Sequence, residues 1–385
     1  MRLEFSTADR IVFGPGVAEQ LAETVAGYGD HAFVVLGSTP GRFSRILDQL
    51  ASRGIQCELF HTAGEPTTPM VQAGIESARQ VQSRVVVAIG GGSVIDTGKV
   101  IAAMLTNQGQ LLDYLEVVGA GKPLLHEPVP YIAVPTTAGT GAEVTRNAVL
   151  LVPEHRVKVS MRSPLLLPRL ALVDPLLTHS MSPELTASTG LDALTQLIEA
   201  FVSSKANPLT DGICREGLQH AGRSLQRAFR DGSDGPARED MALASLFSGL
   251  ALANAGLGAV HGFAGPLGGV TNAPHGVVCG KLLPFVMAAN TRALKNRAAD
   301  SAALARFDEI ARILTGRSTA RASNGIRWIE DLCEEFALPG LSTFGLSRDN
   351  LPAVVAQAKK ASSMKGNPIE LHDEELIEVL EKALA

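Results

Sequence analysis

The chain has 385 residues, of which 45% are hydrophobic and 19% charged, so it can form two domains with separate cores and has a soluble globular composition. The formal net charge of -5 and the lack of a dense Lys/Arg run argue against nucleic-acid binding, so we expect small-molecule partners. Four widely spaced cysteines without a CxxC pair, and a start that does not resemble a secretory segment, predict a reducing, cytoplasmic setting.

One apolar stretch, residues 241–260, reaches the length of a membrane span. Its serine, asparagine and glycine residues, and the histidine that follows, favour a buried core helix instead, because polar groups are costly in lipid. We therefore expect no membrane association.

The first half of the chain alternates β-rich runs with amphipathic segments, which is typical of a parallel sheet with crossover helices. The predicted strands are residues 31–37, 56–60, 84–90, 131–135 and 170–175, and residues 1–13 also alternate like a strand. Between them, residues 43–54 and 71–82 carry apolar side chains at helical spacing.

The strand pattern fades near Ser182, where Ser-Pro-Glu makes a good helix start. Helical patterns then continue to the C-terminus. The predicted organisation is an α/β domain at 1–180 and a helical domain at 181–385, with the two packed around one cleft.

A glycine-rich turn, GGGS at residues 90–93, follows the predicted strand at 84–90. Backbone N–H groups at the start of a following helix bind phosphate favourably. The turn matches neither GxGxxG nor a Walker loop, so a simple strand-to-helix turn is the alternative.

A second polar cluster follows the predicted strand at 131–135 and offers the hydroxyls of Thr136, Thr137 and Thr140. Two such loops at the carboxyl ends of parallel strands fit the crevice where open α/β sheets bind ligands. Together they favour a nucleotide site over two unrelated turns.

A candidate metal site comes from the second half. Asp192 and Gln196 are four residues apart in a predicted helix, so a carboxylate and an amide share one face. His261 and His275 lie within residues 241–280, which contain no Asp, Glu, Lys or Arg. An imidazole in apolar surroundings needs a hydrogen-bond or metal partner. The four residues therefore form a possible site for a transition metal, with Gln196 as a weak ligand.

Three of these four residues also have a purely structural interpretation, and His261 is the least readily explained in this way. Asp192 could stabilise the first turn of its own helix, and Gln196 could be a buried, hydrogen-bonded amide. His275, in the turn-like sequence APHG, could cap a loop. Lys158, in an alternating stretch, could be a solvated strand residue.

Seven segments, taken in order, resemble the iron-containing (group III) alcohol dehydrogenase family. They are GGGSVIDTGK, the DY pair ending at Tyr114, PTTAGTGAEVT, SPLLLPRLALVDP, TGLDALTQLIEAFVS, PLGGVTNAPHGVVCG and SSMKGNP. The resemblance spans nearly the whole chain. It implies a dehydroquinate synthase-like fold, with an N-terminal nucleotide-binding α/β domain and an all-α C-terminal domain.

The resemblance also implies a nicotinamide cofactor, NAD or NADP. The implied cofactor contacts are Gly91, Gly92 and Ser93 at the diphosphate, Asp96 and Thr97 close by, and Thr136, Thr137, Thr140, Val149 and Lys158 along the rest. Members that prefer NAD commonly carry an aspartate after the strand at 31–37, where this chain has Gly37 and Ser38. Without that carboxylate a 2′-phosphate is not repelled, and Ser38, Thr39 or Arg42 could bind it, so NADP is favoured.

The family's divalent ion is held by an aspartate and three histidines, which correspond to Asp192, Gln196, His261 and His275. The resemblance thus implies iron or zinc at this site, with Gln196 as a departure. A further histidine of the family, four residues after His261, is replaced here by Gly265. A bound ion would act as a Lewis acid held by Asp192, His261 and His275, the predicted catalytic residues. Without an ion, the two histidines and Gln196 could hydrogen-bond the substrate oxygen.

The predicted function is an NAD(P)-dependent alcohol dehydrogenase or carbonyl reductase acting on a small alcohol or aldehyde, as a homodimer. A metal-independent reductase similar to maleylacetate reductases is a second hypothesis. A cofactor-binding protein that has lost catalysis, motivated by Gln196 and Gly265, is a third. Metal analysis separates the first two, and assays of aldehydes with NADH and NADPH test the third.

Overall fold

The computed structural model describes residues 3–155 and 157–385; the first two residues of the predicted strand at 1–13, and Arg156 in the stretch around Lys158, lie outside the described residues. The chain divides into two compact units. The sheet unit comprises Ser6–Thr137 and Gly141–Ser180. The helical unit comprises Met181–Ala385 together with residues 3–5 and Ala138–Thr140.

The sheet unit contains both β-sheets of the described chain. Its strands are β1 (Ile11–Phe13), β2 (His31–Leu36), β3 (Gln56–His61), β4 (Val85–Gly90), β5 (Tyr131–Pro135), β6 (Asn147–Val152), β7 (Val157–Arg162) and β8 (Leu170–Val173). Its helices are α1 (Leu21–Ala26), α2 (Ser44–Ser52), α3 (Thr68–Gln80) and α4 (Gly92–Thr106). Six strands form a parallel sheet in the order β1-β8-β5-β4-β2-β3, and β6 and β7 form an antiparallel pair. The five internal strands predicted from the sequence are confirmed.

Both faces of the parallel sheet are buried. Along β2, Phe33 and Val35 pack in the core that contains α3 and α4, whereas Val34 and Leu36 pack in the core that contains α1 and α2. The helix after β2 and the helix after β4 therefore lie on opposite faces. After β2 the chain continues to β3 on one side of the sheet, and after β4 it continues to β5 on the other side. The carboxyl ends of β2 and β4 thus flank a topological switch point, where such sheets bind ligands.

The helical unit contains nine α-helices among the described residues. They are α5 (Pro183–Val202), α6 (Pro208–Arg230), α7 (Gly235–Ala255), α8 (Ala259–Val270), α9 (His275–Arg297), α10 (Ala302–Thr315), α11 (Ala322–Glu335), α12 (Leu351–Ala358) and α13 (Asp373–Ala383). As the sequence predicts, Ser182 caps α5, because its hydroxyl accepts a hydrogen bond from the Leu185 N–H at 3.2 Å. Helix α5 is buried along most of its length and packs against α6, α7 and α9.

The apolar stretch at 241–260 is not one continuous helix. Helix α7 ends at Ala255, α8 begins at Ala259, and the two are bent by 99°. Helix α9 is also long and apolar enough to cross a membrane, but 78% of its apolar window is buried inside the protein. Such burial is typical of the core helix of a globular unit.

Asp174 joins two distant segments of the sheet unit. Its carboxylate, 4% exposed and directly after β8, accepts hydrogen bonds from the backbone N–H groups of Gly16 and Ala18, both at 3.1 Å. It also accepts one from Leu176 N–H at 3.0 Å. Gly16 adopts φ +80°, a conformation that favours glycine. The loop after β1 is therefore anchored to the end of β8 through one buried side chain.

We expect Asp174→Ala to lower the free energy of unfolding by about 2–4 kcal/mol, because three backbone donors lose their acceptor. Urea denaturation followed by circular dichroism measures the loss. The control is Asp48→Ala, at an exposed position of α2, which should stay within about 0.5 kcal/mol of the wild type. Equal urea midpoints for the two variants would contradict the anchoring role of Asp174.

Candidate functional site

Four side chains of the helical unit converge on one point. Asp192 on α5, His261 on α8, His275 at the first position of α9 and Cys279 one turn later place their donor atoms within 4.8 Å of one another. His261 Nε2 lies 3.2 Å and His275 Nε2 3.6 Å from Asp192 Oδ1. Cys279 Sγ lies 3.7 Å from the Nε2 atom of each histidine. The fold thus brings together three of the sequence-predicted ligands and adds a thiol.

The positions of Asp192 and His275 exclude the purely structural roles that the sequence allowed for them. Asp192 is 2% exposed and lies in the middle of α5, so it cannot stabilise the first turn of that helix. His275 begins a helix of 23 residues, so it does not cap a loop. Both side chains are instead directed toward the same cluster.

Gln196 lies next to the cluster with its amide nitrogen toward Asp192. Its Nε2 donates a hydrogen bond to Asp192 Oδ1 at 3.3 Å. Its Oε1 is buried and has no hydrogen-bond partner. A buried acceptor without a donor is unfavourable, so this amide is only half satisfied. The site therefore has a polar group that a bound hydroxyl or water molecule would satisfy.

Glu199 fixes the orientation of the His261 ring. This buried carboxylate is 2.7 Å from His261 Nδ1 through Oε2, and its Oε1 accepts the Val260 N–H at 2.7 Å. With Nδ1 paired to Glu199, Nε2 is directed at the cluster. Burial lowers the pKa of His261, but Cys279, Asp192 and Glu199 outweigh it and raise that pKa well above its usual range, so a metal ion would have to displace the Nε2 proton. A carboxylate behind a histidine is the arrangement that orients histidine ligands in metal sites.

Sequence reasoning missed both Glu199 and Cys279. Glu199 is seven residues after Asp192, which puts it on the same face of α5. Cys279 is four residues after His275, one helical turn away. These spacings were the available signals, but the second required knowing that His275 begins a helix.

Burial and charge act against each other in the cluster. Burial acts to raise the pKa of Asp192, but the positive charge of His275 and a hydrogen bond from His261 outweigh it and lower that pKa. The neighbouring Cys279 raises the pKa of His275 to about 9, although burial opposes this. The protein thus favours positive charge beside buried anionic groups. A divalent cation could supply the same charge.

These donors fit a divalent transition-metal ion. Two imidazole nitrogens and a carboxylate oxygen are the ligands of many catalytic sites that keep one position open. The unpartnered Oε1 of Gln196 and the carboxylate-backed His261 agree with such a site.

Gly265 lies one turn after His261 on α8, and a Cβ atom there would have no neighbour within 4 Å. The departure at residue 265 therefore leaves open space on the helix face that carries His261.

The predicted cofactor residues of the sheet unit gather at the ends of three neighbouring strands. Gly37 and Ser38 follow β2, Gly91 follows β4, and Thr136 and Thr137 follow β5. A Cβ atom on Gly91 would lie 3.3 Å from Thr137, so the loops after β4 and β5 are adjacent. Gly91 caps α4 without a side-chain hydrogen bond. The first turn of α4, which contains Gly92 and Ser93, therefore has backbone donors available for a phosphate.

A buried polar cluster lies under the start of α4. Asp96 Oδ2 accepts the Val149 N–H at 2.9 Å, and Lys99 Nζ donates to Thr145 Oγ1 and to the Asn147 carbonyl, both at 2.8 Å. Burial raises the pKa of Asp96 to about 6 and lowers the pKa of Lys99 to about 8. These bonds hold β6 against α4 and place an ionisable carboxylate beside the glycine-rich turn.

The remaining predicted cofactor residues have different surroundings. Lys158 Nζ is 3.0 Å from a Glu65 carboxylate oxygen, so it is paired at the surface of the β6–β7 pair. Thr97 is fully buried, and its hydroxyl donates to the Ser93 carbonyl at 2.8 Å. Thr140 belongs to the helical unit rather than to the sheet unit.

Comparison with known proteins agrees with both units. The family described as iron-containing alcohol dehydrogenase matches residues 8–175, and its C-terminal family matches residues 186–384. A choline dehydrogenase of Bacillus subtilis is 34% identical over 370 residues, covering 94% of this chain and 90% of the relative. A crystal structure of 1,3-propanediol oxidoreductase has a TM-score of 0.92 and 32% identity, with both chains fully covered. A sulfoacetaldehyde reductase of Bifidobacterium kashiwanohense, solved with NAD+, has a TM-score of 0.88 and 28% identity, covering 100% of this chain and 99% of that one.

We expect Glu199→Gln to weaken zinc binding about 10–100-fold, because the amide cannot hold His261 with a carboxylate's charge and basicity. Competition with a chromogenic chelator measures the zinc affinity. The control is Glu184→Gln at an exposed position in the first turn of the same helix, which should bind zinc like the wild type. Equal affinities in the wild type and Glu199→Gln would show that Glu199 does not support a metal ligand.

Proposed function

This chain belongs to the iron-containing alcohol dehydrogenase family, and we propose that it oxidises a small alcohol or reduces its carbonyl product with NADP(H), assisted by a divalent ion. The family, the fold class and the general dehydrogenase activity predicted from the sequence are confirmed by the family matches and the structural likeness. The observation that carries the metal-assisted form is the convergence of Asp192, His261 and His275.

A metal ion bound at this cluster would polarise the substrate oxygen as a Lewis acid. The protein's part is to hold the ligands in place. Glu199 holds the Nδ1 side of the His261 ring so that Nε2 faces the cluster, and Gln196 donates to Asp192 so that this carboxylate has a fixed position. The unpartnered Oε1 of Gln196 is available to accept a hydrogen bond from a bound hydroxyl. A nicotinamide cofactor held by the glycine-rich turn after β4 would supply or accept the hydride.

The preference for NADP is supported by the residues after β2. Gly37 and Ser38 supply no carboxylate that would repel a 2′-phosphate. Thr39 and Arg42 are exposed close by in the chain. One guanidinium nitrogen of Arg42 donates to the Leu177 carbonyl, and its other donors can meet a phosphate.

The names of three relatives suggest the substrate class. They refer to choline, 1,3-propanediol and sulfoacetaldehyde. These molecules share a short carbon chain with a polar or charged group at the end opposite the reacting carbon. We propose a substrate of this class for the present chain. The open space beside Gly265 supports it, since no side chain occupies that position.

A metal-independent reductase remains the second candidate. The raised pKa of His275, about 9 and due first to Cys279, favours it, because a protonated imidazole could donate a hydrogen bond to the substrate oxygen directly. Elemental analysis separates the two candidates. An active, metal-free protein that is insensitive to chelators would favour the second.

We expect His275→Ala to lower kcat/KM for the best aldehyde at least about 100-fold, because the metal loses a ligand and the substrate oxygen its polarisation. NADPH oxidation is followed with a panel of short polar aldehydes and metal-loaded enzyme. The control is His126→Ala, at an exposed position, which should keep wild-type turnover. No turnover by the wild type on any aldehyde, with either cofactor, would instead support the cofactor-binding hypothesis.

We expect Gly37→Asp to raise KM for NADPH about tenfold or more with little change for NADH, because the new carboxylate repels the 2′-phosphate. The substitution is sterically acceptable, since a Cβ atom at Gly37 has Val94 Cγ2 at 3.8 Å as its nearest neighbour. Steady-state kinetics with both cofactors measures the effect. If the wild type already prefers NADH, the NADP assignment is wrong.

We also propose a cytoplasmic location and a homodimer. The four cysteines are all free thiols, which is compatible with a reducing compartment. The dimer stays a prediction that sedimentation of the purified protein would test.

A further inference from the structure

We propose that Cys279, as a thiolate, is the fourth protein ligand of the metal ion, in place of Gln196. The proposal deepens the metal-assisted function above and rests on the same cluster. With four protein ligands, the substrate oxygen would bind as a fifth ligand. It gives a ligand set of one carboxylate, two imidazoles and one thiolate, from Asp192, His261, His275 and Cys279.

Four of the six distances among the donor atoms are close to those expected around one tetrahedral ion, and the other two lie below 4.8 Å. With metal–sulfur bonds of about 2.3 Å and metal–nitrogen or metal–oxygen bonds of about 2.0–2.2 Å, tetrahedral geometry separates sulfur from nitrogen by about 3.6 Å and nitrogen from oxygen by about 3.3–3.5 Å. The observed distances from Cys279 Sγ to the two Nε2 atoms are both 3.7 Å. Those from Asp192 Oδ1 to the Nε2 atoms of His261 and His275 are 3.2 and 3.6 Å.

Gln196 is less suited to the fourth position. It directs Nε2 at Asp192, and an amide N–H group is a donor that cannot bind a cation. An amide oxygen is also a weaker ligand than a thiolate for a borderline-soft metal ion.

Two glycines bring the Cys279 region close to Asp192. A Cβ atom on Gly276 would lie 2.0 Å from the Ser188 carbonyl oxygen, and one on Gly280 would lie 2.6 Å from Leu191 Cδ1. Ser188 and Leu191 are on α5, so Gly276 allows the backbones of α9 and α5 to approach more closely than a Cβ atom would permit, and Gly280 leaves room for the Leu191 side chain. Each glycine directly follows a donor residue, His275 or Cys279. The tight packing of the two helices thus places both donors beside Asp192.

The proposed site has a chemical consequence. On binding, the thiol and any protonated imidazole of the cluster release their protons to solvent, and the sulfur and the two Nε2 atoms form bonds to the metal, with no change of oxidation state. A thiolate favours Zn²⁺ over hard ions such as Mg²⁺ or Mn²⁺. We therefore expect zinc to bind in the presence of excess Mg²⁺.

Zinc-edge X-ray absorption of the full-length, zinc-loaded protein tests the proposal directly. We expect one sulfur neighbour at about 2.3 Å and nitrogen or oxygen neighbours at about 2.0–2.2 Å. A wild-type spectrum without a sulfur shell, or a wild-type protein that retains no zinc, overturns the proposal.

Variants identify which residue supplies the sulfur. Cys279→Ser should lose the sulfur shell and bind zinc at least about tenfold more weakly. The matched control is Cys333→Ser on α11, whose thiol donates to the Gly280 carbonyl at 3.5 Å and should leave the spectrum unchanged. Gln196→Ala should also keep the sulfur shell. A sulfur shell that persists in Cys279→Ser overturns the assignment.

Two further measurements distinguish a failure of this proposal from a folding defect of the variant and from a failure of the proposed function. If Cys279→Ser does not fold by circular dichroism, the cobalt-substituted wild type still gives an answer, because a thiolate ligand produces a near-ultraviolet charge-transfer band and its absence overturns the proposal. A sulfur shell in a protein that turns over no alcohol or aldehyde supports Cys279 as a ligand and rejects the proposed function. Turnover without a sulfur shell supports the function and overturns the ligand.

Discussion

The helical unit depends on one buried carboxylate. An ionised side chain with 2% exposure is tolerated only when charged or hydrogen-bonding groups surround it, and Asp192 is surrounded on its α5, α8 and α9 sides. Gln196 donates to it from its own helix, and His261 and His275 approach it from the two others. Because these partners come from three helices, the carboxylate fixes where the helices meet. A metal ion would replace part of this support rather than create a new arrangement.

Residues next to the Asp192 cluster explain how helices that are distant in sequence are held together at this point. Glu199 ties the start of α8 to α5 through the Val260 N–H and orients the His261 ring. Gly276 allows α9 to approach the α5 backbone more closely than a Cβ atom would permit, and Gly280 leaves room for the Leu191 side chain. The break at residues 256–258 turns α8 by 99° from α7, which separates the histidine-bearing segment from the apolar helix before it. Local backbone features thus set the geometry of the donors.

The sheet unit follows a simpler constraint. Parallel strands that are buried on both faces appear in the sequence as continuous apolar runs, and the loops that follow them leave the sheet at the same edge. The strands at 31–37, 84–90 and 131–135 were therefore visible in the sequence, as were the glycines and threonines that follow two of them. The strand at 56–60 is a largely exposed edge strand and was visible only from its β-rich composition. What the pattern could not give was the order β1-β8-β5-β4-β2-β3, because strand pairing depends on contacts between distant segments. That order makes the ends of β2, β4 and β5 neighbours.

The sequence by itself determined the fold class, the family and three donor residues, because apolar periodicity and ordered motifs are local properties of the chain. It identified Asp192, His261 and His275 but treated Gln196 as the fourth member. Only the tertiary structure decided that Cys279 lies within the donor cluster and that Gln196 turns its nitrogen toward Asp192. The physical reason is that the donor atoms come from three helices, so the distances between them depend on how closely those helices pack. Residue spacing along the chain does not encode that packing.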